Sequence, residues 1–298
     1  MDLRIGLLGY GEVGQRFAAD LRAADAERAI GAFDLLLHQA AAGEGMRRHA
    51  SAHHIVACVD ARALAASSDL LFSAVTADQA RDAARSLCAQ PLDGAWVVDL
   101  NSAAPATKIE CAAMIAAAGG RYVEAAVMTS VPPHGIRVPM LLGGAQAAEC
   151  ERALRELGFV AETVAADLGV ASAIKLCRSV IIKGLESLVI ESFSAARVLG
   201  VERQVLASLQ ETYPQFDWEK QGDYLFSRVI QHGRRRAEEM RASAAMIDEC
   251  GVGGVMAAAI ARRQDSVAAL RAAGVFDDAL SMKPWRERAD EWLVSGRT

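Results

Sequence analysis

Along the first 167 residues, short apolar runs alternate with stretches in which apolar positions recur every three or four residues. This alternation predicts strands separated by helices, the pattern of a parallel, doubly wound sheet. Candidate strands are Arg4 to Leu8, Phe33 to Leu37, Ile55 to Cys58, Leu70 to Val75, Trp96 to Leu100, Tyr122 to Val127, Val138 to Leu142 and Val160 to Val164. Between Ser130 and Arg137 no helical period is present, and Pro132-Pro133-His134-Gly135 reads as a turn, so the strand after it is expected to return antiparallel. From Asp167 onward the strand pattern stops and helical periodicity continues to Thr298, with breaks expected near Gly200, Pro214, Gly233, Gly251 to Gly254 and Pro284. The stretch Ala171 to Leu199 predicts one helix roughly 40 Å long. The pattern therefore divides the 298 residues into an α/β domain over 1–167 and an all-helical domain over 168–298.

The first predicted strand ends in Gly9-Tyr10-Gly11-Glu12-Val13-Gly14, a GxGxxG run followed by helix-like sequence. In that setting the first glycine allows a tight turn, the second lets the backbone approach a pyrophosphate, and the third lets helix pack on strand. The N–H groups and dipole of the following helix favour an anion. The loop thus points to a dinucleotide, bound by Gly9, Gly11, Glu12, Val13 and Gly14, by Val75 and Thr76 after the fourth strand, and by Asn101 after the fifth. Asp34, some twenty residues on, suits the ribose hydroxyls of NAD and would repel the extra phosphate of NADP. His38, Arg47 and Arg48 lie close by and keep NADP open.

A net charge of −5 argues against a nucleic-acid surface, and the run Arg234-Arg235-Arg236 is followed by Glu238 and Glu239 at helical pairing distance. The six cysteines are scattered without a CxxC, which suits a reduced cytoplasm, and Met1-Asp2 leads straight into the first strand, leaving no room for a leader. The long apolar helix carries Lys175, Arg178, Lys183, Glu186 and Glu191, which would be costly in lipid. His49, His53 and His54 lack the companions that would complete a metal site and read as surface residues.

Lys108, Lys175, Lys183, Lys220 and Lys283 are the only lysines, and two of them share the long helix. Offsets of four, eight and eleven residues put Lys175, Ser179, Lys183 and Glu186 in one wedge of a 3.6-residue helix. Unlike arginine, lysine can be brought toward neutrality by burial, so it can exchange a proton with a hydroxyl while hydride leaves the same carbon. Lys183 can equally be read as a structural partner of Glu186.

The opening GYGEVG and the lysine six residues after Gly169 resemble the β-hydroxyacid dehydrogenase superfamily, which includes 6-phosphogluconate dehydrogenase. The runs NSAAPATK, EAAVMTSVPPHGIRVPMLLGG, ASAIKLCRSVIIKGLESLVIES and HGRRRAEEM resemble its bacterial phosphogluconate-dehydrogenase-like branch, with a C-terminal helical domain of unassigned role. The resemblance implies a Rossmann-type domain, places Lys175 on the catalytic lysine, and places Asn101 and Ser102 near nicotinamide and substrate. Met128-Thr129-Ser130 stands where the family commonly has a serine and two glycines, Ser179 replaces an asparagine, and Ile182 replaces the later glutamate of 6-phosphogluconate dehydrogenase. Oxidative decarboxylation is weakened accordingly.

His232-Gly233-Arg234-Arg235-Arg236 reads either as a helix start with exposed pairs or as a clamp for a substrate anion, with His232 and Arg235 as candidates. His134 and Arg137 flank the turn after the sixth strand and could reach the site. The combined expectation is an NAD(P)-dependent oxidoreductase acting on the alcohol carbon of a small polar hydroxy acid. Lys175 is its acid/base, Asn101, Ser102, Thr129 and Ser130 orient the ligands, Ser179 and Lys183 line the pocket, no metal takes part, and the helical domain forms a homodimer. Imine or amino-alcohol chemistry and a non-catalytic NAD(P)H sensor are the alternatives.

Overall fold

The alternating apolar runs form one sheet. The computed structural model describes residues 3–276, 278–279 and 281–295, and among these the strands are β1 (Ile5–Leu8), β2 (Ile30–Phe33), β3 (Val56–Ala57), β4 (Leu70–Ser73), β5 (Trp96–Asp99), β6 (Arg121–Val127), β7 (Met140–Gly143) and β8 (Ala161–Ala165). Their order is β3-β2-β1-β4-β5-β6-β7-β8. All neighbours are parallel except β6 and β7, so the expected antiparallel return is present. The helices of this part are α1 (Glu12–Ala24), α2 (Glu44–Ala52), α3 (Ala61–Ala66), α4 (Ala80–Leu87), α5 (Pro105–Ala117), α6 (Val131–His134) and α7 (Ala147–Glu156).

β1 is buried along its whole length, as a central parallel strand must be. Ile5 and Leu7 join Phe17, Phe72 and Phe159 on one face, while Leu8 joins Leu71 and Val97 on the other. The chain winds from β1 out to β3 and then to β4 on the opposite side, so the strand order reverses between β1 and β4. A crevice at the carboxyl ends of such strands is where ligands bind in open α/β sheets.

The second strand is displaced from its expected place. Phe33 to Leu37 was the more apolar run, yet the pairing partner of Ile5–Leu8 is Ile30-Gly31-Ala32-Phe33. Asp34 ends the strand because its carboxylate accepts Leu36 N at 2.9 Å and its carbonyl accepts Leu37 N at 3.0 Å, turning the chain.

Two compact units divide within a helix, as Met1–Lys175 and Leu176–Thr298. That helix is α8 (Val170–Leu199), followed by α9 (Glu202–Thr212), α10 (Trp218–Glu249), α11 (Val255–Ala272) and α12 (Trp285–Ser295). The second unit packs Phe193, Phe226, Val229 and Ile230 around Trp285. The break expected near Gly233 is absent, since α10 runs through it. A Cβ at Gly233 would lie 2.7 Å from the Gln264 carbonyl oxygen, so the glycine is there to let α10 and α11 approach closely.

Gly233→Ala is therefore expected to destabilise the protein by about 1–3 kcal/mol, read as a lower denaturant midpoint, because backbone rather than a mobile side chain blocks the methyl. Gly45→Ala in α2 is the control: no atom lies within 4 Å of its Cβ position, and the midpoint should hold or rise.

Candidate active site

The three loop glycines have three different surroundings. Gly9 has φ +90°, and a Cβ there would meet the Ala74 carbonyl oxygen at 2.4 Å; at Gly14 a Cβ would meet the Gly9 carbonyl oxygen at 2.3 Å. Both are closed by the protein itself. Gly11 has no atom within 4 Å of its Cβ position, and α1 starts immediately after it without a side-chain cap. Open space in front of uncapped helix N–H groups fits a dinucleotide pyrophosphate. Glu12 is exposed and Val13 half-buried at the same helix start.

Asp34 stands at the carboxyl end of β2. Its Oδ2 accepts Tyr10 N at 2.8 Å, so the carboxylate holds the glycine loop while one edge remains half-exposed. The Tyr10 hydroxyl meets His49 Nδ1 at 2.9 Å, and burial pushes the phenol's pKa up. His49 is thus drawn into the loop's support and is no simple surface residue; its ring also packs against His53 at 4.3 Å. Arg47 donates to the carbonyls of Leu37 and Gln39, both at 2.7 Å, and His38 Nε2 contacts the Cys58 carbonyl at 2.8 Å. Both are engaged by the backbone; Arg48 is exposed. Among the described residues no group of three or more His, Cys, Asp or Glu could hold a metal ion, and no helix is long and apolar enough to cross a membrane.

The ends of β4 and β5 are clamped together. Asn101 Oδ1 accepts Val75 N at 2.7 Å and its Nδ2 donates to Ser73 Oγ at 3.0 Å, while Thr76 is exposed beyond them. Asn101 N donates in turn to Asp99 Oδ1 at 2.8 Å. Asp99 also pairs with Lys108 Nζ at 2.9 Å and accepts the Tyr122 hydroxyl at 2.6 Å, all of it buried. Burial, reinforced by Asp99, raises the Tyr122 phenol well above its ordinary range. Sequence reasoning missed Asp99, Lys108 and Tyr122, although the scarcity of lysine and its place in the apolar α5 marked Lys108.

Lys175 reaches this clamp: its Nζ donates to Ser102 Oγ at 2.6 Å. Three of the expected groups, Lys175, Ser102 and Asn101, thus gather at the carboxyl end of β5. Thr129 is exposed and Ser130 half-buried in the loop after β6. That loop is tied to α1 by Arg16 Nη1 on the Pro132 carbonyl at 2.7 Å and by Ile136 N on Asp20 Oδ2 at 3.0 Å.

In the second unit Lys183 does not pair with Glu186. It bonds Ser179 Oγ at 3.2 Å and Glu239 Oε2 at 2.6 Å, whereas Glu186 takes Arg236 on both oxygens and Gln264 Nε2 at 3.2 Å. Burial lowers the Lys183 ammonium pKa against the pull of Glu239. The run from His232 to Glu239 is mid-helix rather than a helix start; Arg236 pairs across to Glu186 on α8, Glu239 takes Lys183, and Arg235 is exposed. His232 is half-buried, and burial together with Arg228, Arg235, Arg236 and Arg271 pushes it down to about 4.

Residues 4–169 match the family described as the NAD binding domain of 6-phosphogluconate dehydrogenase, and residues 196–267 match a Domain of unknown function (DUF1932). A conserved hypothetical protein from Sinorhizobium meliloti is 36% identical, with 98% of this chain and 96% of that one covered and a TM-score of 0.76. A conserved protein of unknown function, described as structurally similar to 3-hydroxyacid dehydrogenases, is 29% identical over 91% of this chain and 99% of its own, at a TM-score of 0.69. The Mycobacterium tuberculosis 3-hydroxyisobutyrate dehydrogenase, solved with L-serine, shares the fold at a TM-score of 0.70 and 17% identity, covering 90% and 94% of the two chains.

His232 gives a pH prediction. Its folded pKa of about 4 lies below the ordinary 6.5, so the unfolded chain binds the extra proton. Stability should fall as pH drops from above 6.5 toward 4, and His232→Gln should remove that part of the slope in denaturation curves across this range.

Proposed function

The chain belongs to the family of the 6-phosphogluconate dehydrogenase NAD binding domain, and from this we propose that it is an NAD(P)-dependent oxidoreductase acting on the alcohol carbon of a small polar hydroxy acid. The observation that carries the reading is the Lys175 amine, 2.6 Å from Ser102 Oγ at the carboxyl end of β5, in the same unit as the open glycine loop. When bound, NAD(P)+ supplies the hydride acceptor. Lys175 Nζ takes the hydroxyl proton as the carbon loses hydride, and returns it when the carbonyl is reduced. Ser102 holds the amine in place, Asn101 keeps the β4 and β5 ends in register, and Thr129 and Ser130 offer hydroxyls to the substrate acid.

Asp34 supports NAD over NADP, since its carboxylate would face a 2′-phosphate, while Arg47 and His38 are directed onto backbone carbonyls and the exposed Arg48 lies 4.0 Å from Glu44. The helical part is proposed to join two copies of the chain: Ile181, Leu188 and Leu199, spaced seven and eleven residues apart and so on one face of α8, are 73%, 59% and 73% exposed. Light scattering should give a dimer mass; a monomer would overturn this.

The catalytic reading is tested by Lys175→Met across a panel of hydroxy acids and cyclic imines with both cofactors. Turnover of hydroxy acids should fall by about 10²–10⁴-fold with cofactor affinity retained, and NAD should be preferred to NADP. Wild-type rates in the variant, or turnover of imines alone, would contradict the proposal.

A further inference from the structure

We propose that Glu124 is the positioning residue for Lys175, and that Gly143 is a glycine so that Glu124 can take up that role. The inference deepens the dehydrogenase reading and rests on it only for its kinetic consequences. α8 opens at Gly169, whose φ of +92° and whose Cβ position, 2.9 Å from Pro105 Cβ, both require glycine. The start of a helix leaves N–H groups that need acceptors, and a glycine there has no side chain to provide one. β6 provides it instead. Glu124 is fully buried; its Oε1 accepts Gly169 N at 2.8 Å and Ala171 N at 3.0 Å, and its Oε2 accepts Ser172 Oγ at 2.9 Å. Lys175 lies less than one turn further on.

The neighbours of Glu124 make the contact specific. On one side its register partner is Asp99, which anchors Lys108, Tyr122 and the Asn101 backbone ahead of Ser102. On the other its partner is Gly143, where a Cβ would fall 2.4 Å from Glu124 Oε1. Two adjacent buried carboxylates thus hold the two ends of the Lys175–Ser102 contact, Asp99 through the loop and Glu124 through the helix. A fault at either end would displace the amine, and a misplacement of about 1 Å is enough to cost on the order of 10²-fold in rate.

The test uses Glu124→Ala, Glu124→Gln and Gly143→Ala in the full chain. Glutamine keeps an acceptor for both backbone N–H groups and should restore most of the function; alanine at either position should not. We expect kcat to fall by about 10²-fold in Glu124→Ala and Gly143→Ala, KM for the cofactor to stay within about two-fold, and no further loss when either is combined with Lys175→Met. An unchanged kcat, an equal loss of cofactor affinity, or additive losses in the Lys175→Met background would overturn the proposal. A readout without catalysis separates it from the dehydrogenase reading. After reductive 13C-methylation of the lysines, with Lys175→Met identifying the Lys175 resonance, both alanine variants should move that signal and leave those of Lys220 and Lys283 in place. A Lys175 signal that stays put in folded variants overturns the positioning role whether or not the protein turns over any hydroxy acid.

Discussion

The site depends on how a thirty-residue helix is started. α8 is preceded by Gly169, which has no side chain to cap it, and the N–H groups of Gly169 and Ala171 are buried beside the sheet, where unpaired donors are costly. Glu124 supplies the acceptors from the neighbouring strand. The helix is thereby fixed to the sheet at the turn that carries Lys175, and the amine meets Ser102 as a consequence of that fixing. The hydrogen bonds of Asn101 to Val75 and Ser73 do the same for the other partner by tying the β5 end to the β4 end.

The glycine loop shows a second division of labour. Gly9 and Gly14 are required by the protein's own packing and would be needed in the absence of any ligand, whereas Gly11 borders open space. Asp34 combines both kinds of demand: its carboxylate fastens Tyr10 N and Leu36 N while standing at the strand end where a ribose would approach. The acidic residue at the end of β2 is therefore part of the loop's framework, and His49 extends that framework into α2 through the Tyr10 hydroxyl.

Local pattern carried much of this architecture. The alternation of apolar runs marked the sheet and the prolines before Gly135 marked the antiparallel return, though they open the short helix α6 rather than a simple turn, and the glycine spacing with the lysine helix marked the elements of the candidate site. Where the reading failed, the deciding contact was distant in sequence. Phe33 to Leu37 looked more like a strand than Ile30 to Phe33, but pairing to β1 and the turn made by Asp34 decided otherwise. Gly233 looked like a break because its reason, the Gln264 carbonyl, lies on another helix. Lys183 and Glu186 looked like a pair at helical spacing, yet each found a partner on α10 some fifty residues away. Glu124 gave no local signal at all, since its partners, Gly169, Ala171 and Ser172, lie beyond two further strands of chain.

A crystal structure of the chain with NAD+ and a turned-over hydroxy acid tests the central claim most directly. The account predicts the Lys175 amine within about 2.6–3.2 Å of the substrate hydroxyl, with Ser102 still against it and the pyrophosphate over Gly11. A substrate hydroxyl bound to some other acid or base, with Lys175 beyond hydrogen-bond reach, would contradict it.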